Sequence, residues 1–180
     1  MKALHYTVGG VWLVFWTYWL ASARGVKPTL NARYTARTRL GLWVPALLVV
    51  RLWHPSALEI RSVTVGVIGL GIVLCGLALA IWARLYLGRN WGMPMSVKED
   101  PELITSGPYS RVRHPIYTGL LLGFLGTTLL TNVVTVVVFL GFGASFLYSA
   151  VVEERNMTKA FPAEYPAYRT RTKMLIPFVL

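Results

Sequence analysis

Residues 63–87, VTVGVIGLGIVLCGLALAIWARLYL, run for 25 positions with no charge before Arg84. A bilayer-crossing helix needs about 20 predominantly apolar residues, and this run exceeds that. Four more apolar segments accompany it, at about 3–23, 40–53, 116–130 and 132–152. The fold class expected is therefore all-α: a polytopic helical membrane protein with about five transmembrane helices. Segment 40–53 is short and carries Arg51 near its end, so it tilts, breaks at Pro45 or enters only part of the bilayer. Segments 116–130 and 132–152 are parted only by Thr131 and Asn132 and should form a tight helical hairpin. The first segment has the outline of a signal peptide, but its apolar stretch is too long and too aromatic for one. A first membrane helix fits better. No repeat or low-complexity stretch divides the chain, which reads as a single domain over 1–180.

Charge supports the membrane assignment. Hydrophobic residues make up 55% of the chain and charged ones 14%, where a soluble domain carries about 25%. The net charge of +11 would suggest nucleic acid in a soluble protein. Here the basic residues sit between apolar runs, without an interleaved basic and aromatic surface, so no nucleic-acid partner is expected. Fifteen of the eighteen basic residues fall in 24–39, 84–115 and 153–180. With five spans these three regions share one side. The positive-inside rule makes that side cytoplasmic and puts the C-terminus there, with the N-terminus outside. The lone Cys75 excludes an internal disulfide, and no Cys/His spacing suits a metal.

Six of the seven acids lie on the same side, so ionisable chemistry concentrates in the 88–115 loop and the C-terminal tail. In the loop, Gly107-Pro108 signals a turn. His114-Pro115 then opens an apolar helix, with Pro115 at the favoured first position. A helix N-terminus of this kind suits a polar or anionic ligand, and Gly119, one turn in, permits close approach. Glu153 and Glu154 end the last apolar segment. Successive helical residues diverge by about 100°, so the two cannot face the same way, and one is free to point inward toward a cation. The tail, FPAEYPAYRTRTKMLIPFV (161–179), is broken by prolines. Two readings stand open for it: an amphipathic segment on anionic lipid, or a lid folded back over the loop.

RHPIYTG (113–119), ELITSGPY (102–109) and the EE…F…EY..Y…IPF pattern (153–178) resemble the isoprenylcysteine carboxyl methyltransferase family. More broadly, they resemble the membrane methyltransferases that include phospholipid N-methyltransferases. The resemblance covers about 85–180. Residues 1–84 match only as membrane spans, which divides the domain into anchoring helices and a cofactor-binding catalytic half. It implies S-adenosyl-L-methionine as methyl donor, S-adenosylhomocysteine as product, and a cytoplasmic-side pocket built from the 88–115 loop, the last hairpin and the tail. Carried over by position, Pro101, Glu102, Leu103, Ile104, Tyr109, His114, Pro115, Ile116, Tyr117 and Glu153 are the cofactor-binding residues. Eukaryotic family members place an arginine about one turn before that acid; this chain has Ser149.

Displacement at a sulfonium carbon releases a neutral thioether, so the leaving group needs no acid. Positioning should dominate. Arg113 and Glu154 are the catalytic candidates. An amine or thiol acceptor requires a base, for which Glu154, Tyr117 and an arginine-linked water are all available. The bilayer-facing hairpin implies a lipophilic or amphiphilic acceptor, lipid or small molecule. Alternatives are a phospholipid N-methyltransferase, an NADPH-dependent membrane reductase, and a non-catalytic membrane subunit.

Overall fold

The computed structural model describes residues 1–30, 59–132 and 135–176. Five α-helices follow in order: α1 (Lys2–Ser22), α2 (Val63–Leu87), α3 (Pro115–Leu130), α4 (Thr135–Ala160) and α5 (Glu164–Arg171). Among the described residues only isolated β-bridges occur and no strand. The short segment at 40–53 and the last residues of the tail, 177–180, lie outside the described residues.

The apolar runs become helices with recognisable ends. Ser62 caps α2, its hydroxyl accepting from the Val65 N–H at 3.4 Å. Gly88 closes it at φ +53°, a left-handed conformation that glycine adopts without penalty. Pro115 occupies the first position of α3, with His114 as its N-cap. The helical segments Val63–Asn90 and Thr135–Ala160 are long and apolar enough to cross a membrane. At 1.5 Å per residue α2 extends about 38 Å, against about 30 Å of bilayer hydrocarbon. Helix α3, with 16 residues, reaches only about 24 Å. Helix α4 continues through Glu153 and Glu154 to Ala160, two turns beyond the end of its apolar run.

The α2–α3 contact is built from small residues. Gly69, Val73, Gly76, Ala80 and Ala83 recur at helical spacing on one face of α2, opposite Gly119, Gly123 and Gly126 of α3. A Cβ placed on Gly76 would stand 2.5 Å from the Gly119 carbonyl oxygen, and one on Gly126 2.5 Å from that of Gly69. The backbones therefore touch, as they do where membrane helices associate through small residues rather than through a hydrophobic drive. The large side chains point the other way. Val67, Ile68, Leu74, Trp82 and Leu85 of α2 are exposed, as are Leu13 and Leu20 of α1 and Val137, Leu140 and Leu147 of α4. Exposed apolar side chains on three helices are what a lipid-facing surface requires.

Two backbone clasps hold the loop between α2 and α3. On one side, residues 27–30 run along it: Lys27 N–H donates to Arg89 O (2.9 Å), Leu30 N–H to Val97 O (2.9 Å) and Glu99 N–H to Pro28 O (3.2 Å). Lys98 is buried here, its ammonium donating to Lys27 O and Thr29 Oγ1. On the other side the tail returns. Arg113 N–H donates to Lys173 O (2.8 Å), Lys173 N–H to Arg111 O (3.2 Å) and His114 N–H to Met174 O (3.0 Å). The Tyr168 hydroxyl donates to Tyr109 O at 2.6 Å. Of the two readings of the tail, the fold-back over the loop is the one observed. Arg84, counted with the loop charges in the sequence, is instead 4% exposed. It donates to Gly88 O and to Ser22 O at the C-terminal ends of α2 and α1 and stacks on Trp91.

Candidate functional site

A cavity of about 1070 Å³ lies between α1, the 90–104 loop, α3, α4 and α5. Its walls come largely from one stripe on each of α1, α3 and α4. Helix α1 gives Trp12, Trp16 and Trp19; α3 gives Tyr117, Leu120 and Phe124; α4 gives Phe142, Phe146, Ser149 and Glu153. Spacings of three and four put each set on a single helical face. The rings form a column. His114 stacks on Tyr117 (5.4 Å, 4°) and Tyr117 on Phe146 (4.7 Å, 3°). Further along, Phe142 stacks on Phe124 (4.1 Å) and Phe124 on Trp12 (5.2 Å), whose indole N–H donates to Thr127 Oγ1 (2.9 Å).

The polar end of the column is a cluster of ionisable groups. Tyr117 donates its hydroxyl proton to Glu153 Oε1 at 2.5 Å, and the Met95 N–H donates to the same oxygen at 2.6 Å. Met95 holds φ +62°, unusual for a residue with a side chain, and that turn of the backbone aims its N–H at the carboxylate. Glu154 takes a different set. Arg113 Nε donates to its Oε1 at 2.6 Å and Arg169 Nε lies 3.3 Å from its Oε2. Arg113 Nη1 also donates to Thr172 O. Arg113 and Glu154 are 8% and 6% exposed, so this is a buried pair. Between the two carboxylates stands His114, with Nδ1 3.4 Å from Glu153 Oε2 and Nε2 3.6 Å from Glu154 Oε1. Burial alone would lower its pKa; the Glu153 and then the Glu154 carboxylate outweigh burial and raise it above the usual histidine value. On Tyr168, whose charged form is an anion, burial acts the other way and pushes the pKa up to about 12.

The expected divergence of the two acids is present, but both are engaged rather than one, because the imidazole fills the gap between them. Of the residues assigned by resemblance, Pro101, Glu102, Leu103, Ile104, Tyr109, His114, Ile116, Tyr117 and Glu153 line the cavity, as does Arg113. Glu102 does so at the rim, its carboxylate paired with Lys27 at 2.8 Å and held below the usual range by that hydrogen bond. Pro115 is fully buried and, like Glu154, does not border the cavity. Sequence reasoning did not single out Met95, the tryptophans of α1 or the role of Arg169. The α1 stripe was readable as aromatic residues at positions i, i+4 and i+7. The Met95 and Arg169 contacts join positions 58 and 15 residues from their partners, and no local pattern announces them.

A family model described as phospholipid methyltransferase matches residues 64–164, more than half of the chain. The chain belongs to the phospholipid methyltransferase family. This family member is 30% identical over 154 residues to the cobalt-zinc-cadmium resistance protein CzcN of Cupriavidus metallidurans, covering 80% of this chain and 66% of that one. It is 30% identical over 117 residues to the protein-S-isoprenylcysteine O-methyltransferase of Saccharomyces cerevisiae, covering 63% and 49%. Its fold is similar to that of the solved eukaryotic intramembrane Ras methyltransferase ICMT, with a TM-score of 0.61, 24% identity and coverage of 84% and 55%. The chain thus spans about half to two thirds of the length of these proteins.

Proposed function

We propose that this protein transfers a methyl group from S-adenosylmethionine to a lipophilic or amphiphilic acceptor that enters from the bilayer. The observation that carries the reading is one continuous cavity with a carboxylate–imidazole cluster at one end and a column of aromatic rings at the other. The donor fits the polar end. Glu153 faces the cavity and is held by two neutral donors and an imidazole, which suits it to a sulfonium or ammonium cation. Nε2 of His114 is buried with no hydrogen-bond partner, as expected of a group completed by a ligand. The residues proposed to hold the donor are Glu153, Tyr117, His114, Tyr109, Ile116 and the 101–104 stretch. Pro115 sets the helix start behind them.

When bound, the donor supplies an electrophilic methyl whose sulfur leaves as a neutral thioether. The chain's own residues then have three tasks. Tyr117 and the Met95 N–H orient Glu153. The tail and the aromatic walls exclude water, which strengthens the electrostatics inside. The aromatic column aligns the acceptor with the methyl, an effect worth up to about 7–11 kcal/mol in model systems. Arg113 and Glu154 serve as positioning residues, since their charges are spent on each other and on the tail. The same accounting bears on the acceptor. Ser149 is 2% exposed and its hydroxyl already donates to Ser145 O. The cavity-lining cations Lys98 and Arg113 are also committed. An acceptor carboxylate would find no free cation along the described walls, which favours an uncharged apolar acceptor.

Calorimetric titration with S-adenosylhomocysteine tests the reading. The parent protein should bind, and His114→Ala and Glu153→Gln should each weaken binding by tenfold or more, about 1.4 kcal/mol. A folded parent protein that does not bind removes the cofactor assignment. Unaltered binding by both variants removes the site.

A further inference from the structure

Charge is unevenly shared within the cluster. Glu154 has two guanidinium partners, Arg113 and Arg169. Glu153 has hydrogen bonds from Tyr117 and Met95, both neutral, and His114 is the one basic side chain among the described residues within ion-pair distance of it. The groups around the imidazole are Glu153 and Glu154 from α4, Arg113 beside it and Tyr117 stacked on it from α3. Arg169 and Tyr165 of α5 lie beyond Glu154. We propose that His114 carries a proton as the counter-ion of Glu153 in the free protein and releases it to solvent when a cationic group of the ligand reaches Glu153. This rests on the reading that the methyl donor occupies the cavity.

The geometry says which proton leaves. Nδ1 lies 3.4 Å from Glu153 Oε2. Nε2–H has no hydrogen-bond partner and meets Glu154 only at 3.6 Å, a carboxylate that Arg113 and Arg169 already neutralise. Once a ligand cation pairs with Glu153, a second positive charge on the buried ring beside it is repelled. The Nε2 proton departs and the neutral ring keeps its Nδ1–H toward Glu153. Cofactor binding is then an exchange of one cation for another at a fixed carboxylate, and its affinity rises with pH until the free protein's His114 is already neutral.

The test is titration of the intact chain in detergent with S-adenosylmethionine and with S-adenosylhomocysteine, in buffers of different ionisation enthalpy. The slope of heat against ionisation enthalpy counts protons. The expected result near neutral pH is release approaching about one proton per ligand, falling away at alkaline pH. Release with both ligands assigns the ammonium to Glu153, and release with S-adenosylmethionine alone assigns the sulfonium; either supports the proposal. His114→Gln should abolish the release, while His5→Gln, at the far end of α3, should preserve it. Binding without proton release, or with proton uptake, overturns the proposal and leaves the cofactor reading standing; uptake is what a His114 that met the ligand's carboxylate would give. Release that persists in His114→Gln overturns it too. Should that variant fail to fold, the parent protein's proton count and its decline with pH decide alone. Absence of binding overturns both readings together.

Discussion

Arg113→Ala would leave Glu154 buried with Arg169 and the His114 imidazole as its remaining basic neighbours and remove the donor to Thr172 O. Breaking a buried ion pair from one side costs about 3–5 kcal/mol, and the half-exposed Arg169 offsets part of that. A loss near 3 kcal/mol is expected in thermal or denaturant unfolding in detergent; an unchanged midpoint would contradict the buried-pair assignment. His114 gives a pH signature. Its folded pKa is raised by Glu153 and Glu154 against the opposing effect of burial, so the native state binds its proton more tightly than the unfolded chain does. That contribution is complete below the ordinary histidine value of about 6.5 and is lost as pH rises through the raised folded value. The parent protein should lose stability as pH rises through that interval, and His114→Gln should not. Parallel stability–pH curves for the two would rule this out. At this scale Glu153 and His114 were nameable from the sequence by their motif, whereas Met95 was not. Its contribution is a backbone N–H aimed by a positive φ, which residue type does not encode.

The α2–α3 contact makes a sharper prediction about glycine. Gly76 and Gly119 face backbone atoms of the opposing helix at 2.5 Å from a modest added Cβ, and backbone cannot rotate away. Gly76→Ala or Gly119→Ala should destabilise by about 1–3 kcal/mol, the usual cost of overpacking. Gly71 has nothing within 4 Å, so Gly71→Ala should be neutral or gain up to about 1 kcal/mol of helix propensity. Melting of the three variants in detergent compares them directly, and equal effects would mean that the helices do not touch there. For the tail, Tyr168→Phe deletes the hydroxyl bond to Tyr109 O, worth about 1 kcal/mol. Hydrogen exchange across 164–176 should quicken, and unchanged protection would show that the hydroxyl does not hold the tail. The start of α3 was legible because its signal is local: Pro115 acts within one turn, as Ser62 and Gly88 do at the ends of α2. The extension of α4 to Ala160 was not, since two charged turns look like a terminus until Arg113, Arg169 and His114 are seen to receive them.

For the whole molecule, the inferred orientation places the cluster and the tail on the cytoplasmic side. Cys75 is the chain's single cysteine, so Cys75→Ser gives a clean background. Lys173→Cys in that background should react with a membrane-impermeant thiol reagent only after the membrane is opened, and Lys2→Cys before. The reverse pattern would invert the topology. The cavity also belongs to this scale. Its polar end draws on the loop, α3, α4 and α5, and its apolar end on α1, while α2 reaches it only through its last residue, Leu87; α2 acts mainly through the backbone contact that sets α3 in place.

The sequence by itself determined that the chain is helical and membrane-bound, where its charge collects, and which motif is proposed to hold the donor. These follow from hydropathy, helix-end rules and residue type, all of which operate over a few positions. The tertiary structure decided what each charge is for. It turned Arg84 from a loop charge into a tie between two helix ends, closed the tail over the loop, and set one imidazole between two carboxylates that have different partners. Those outcomes depend on which groups meet after distant helices pack, and the energy of a buried charge is fixed by its neighbours in space rather than in the chain.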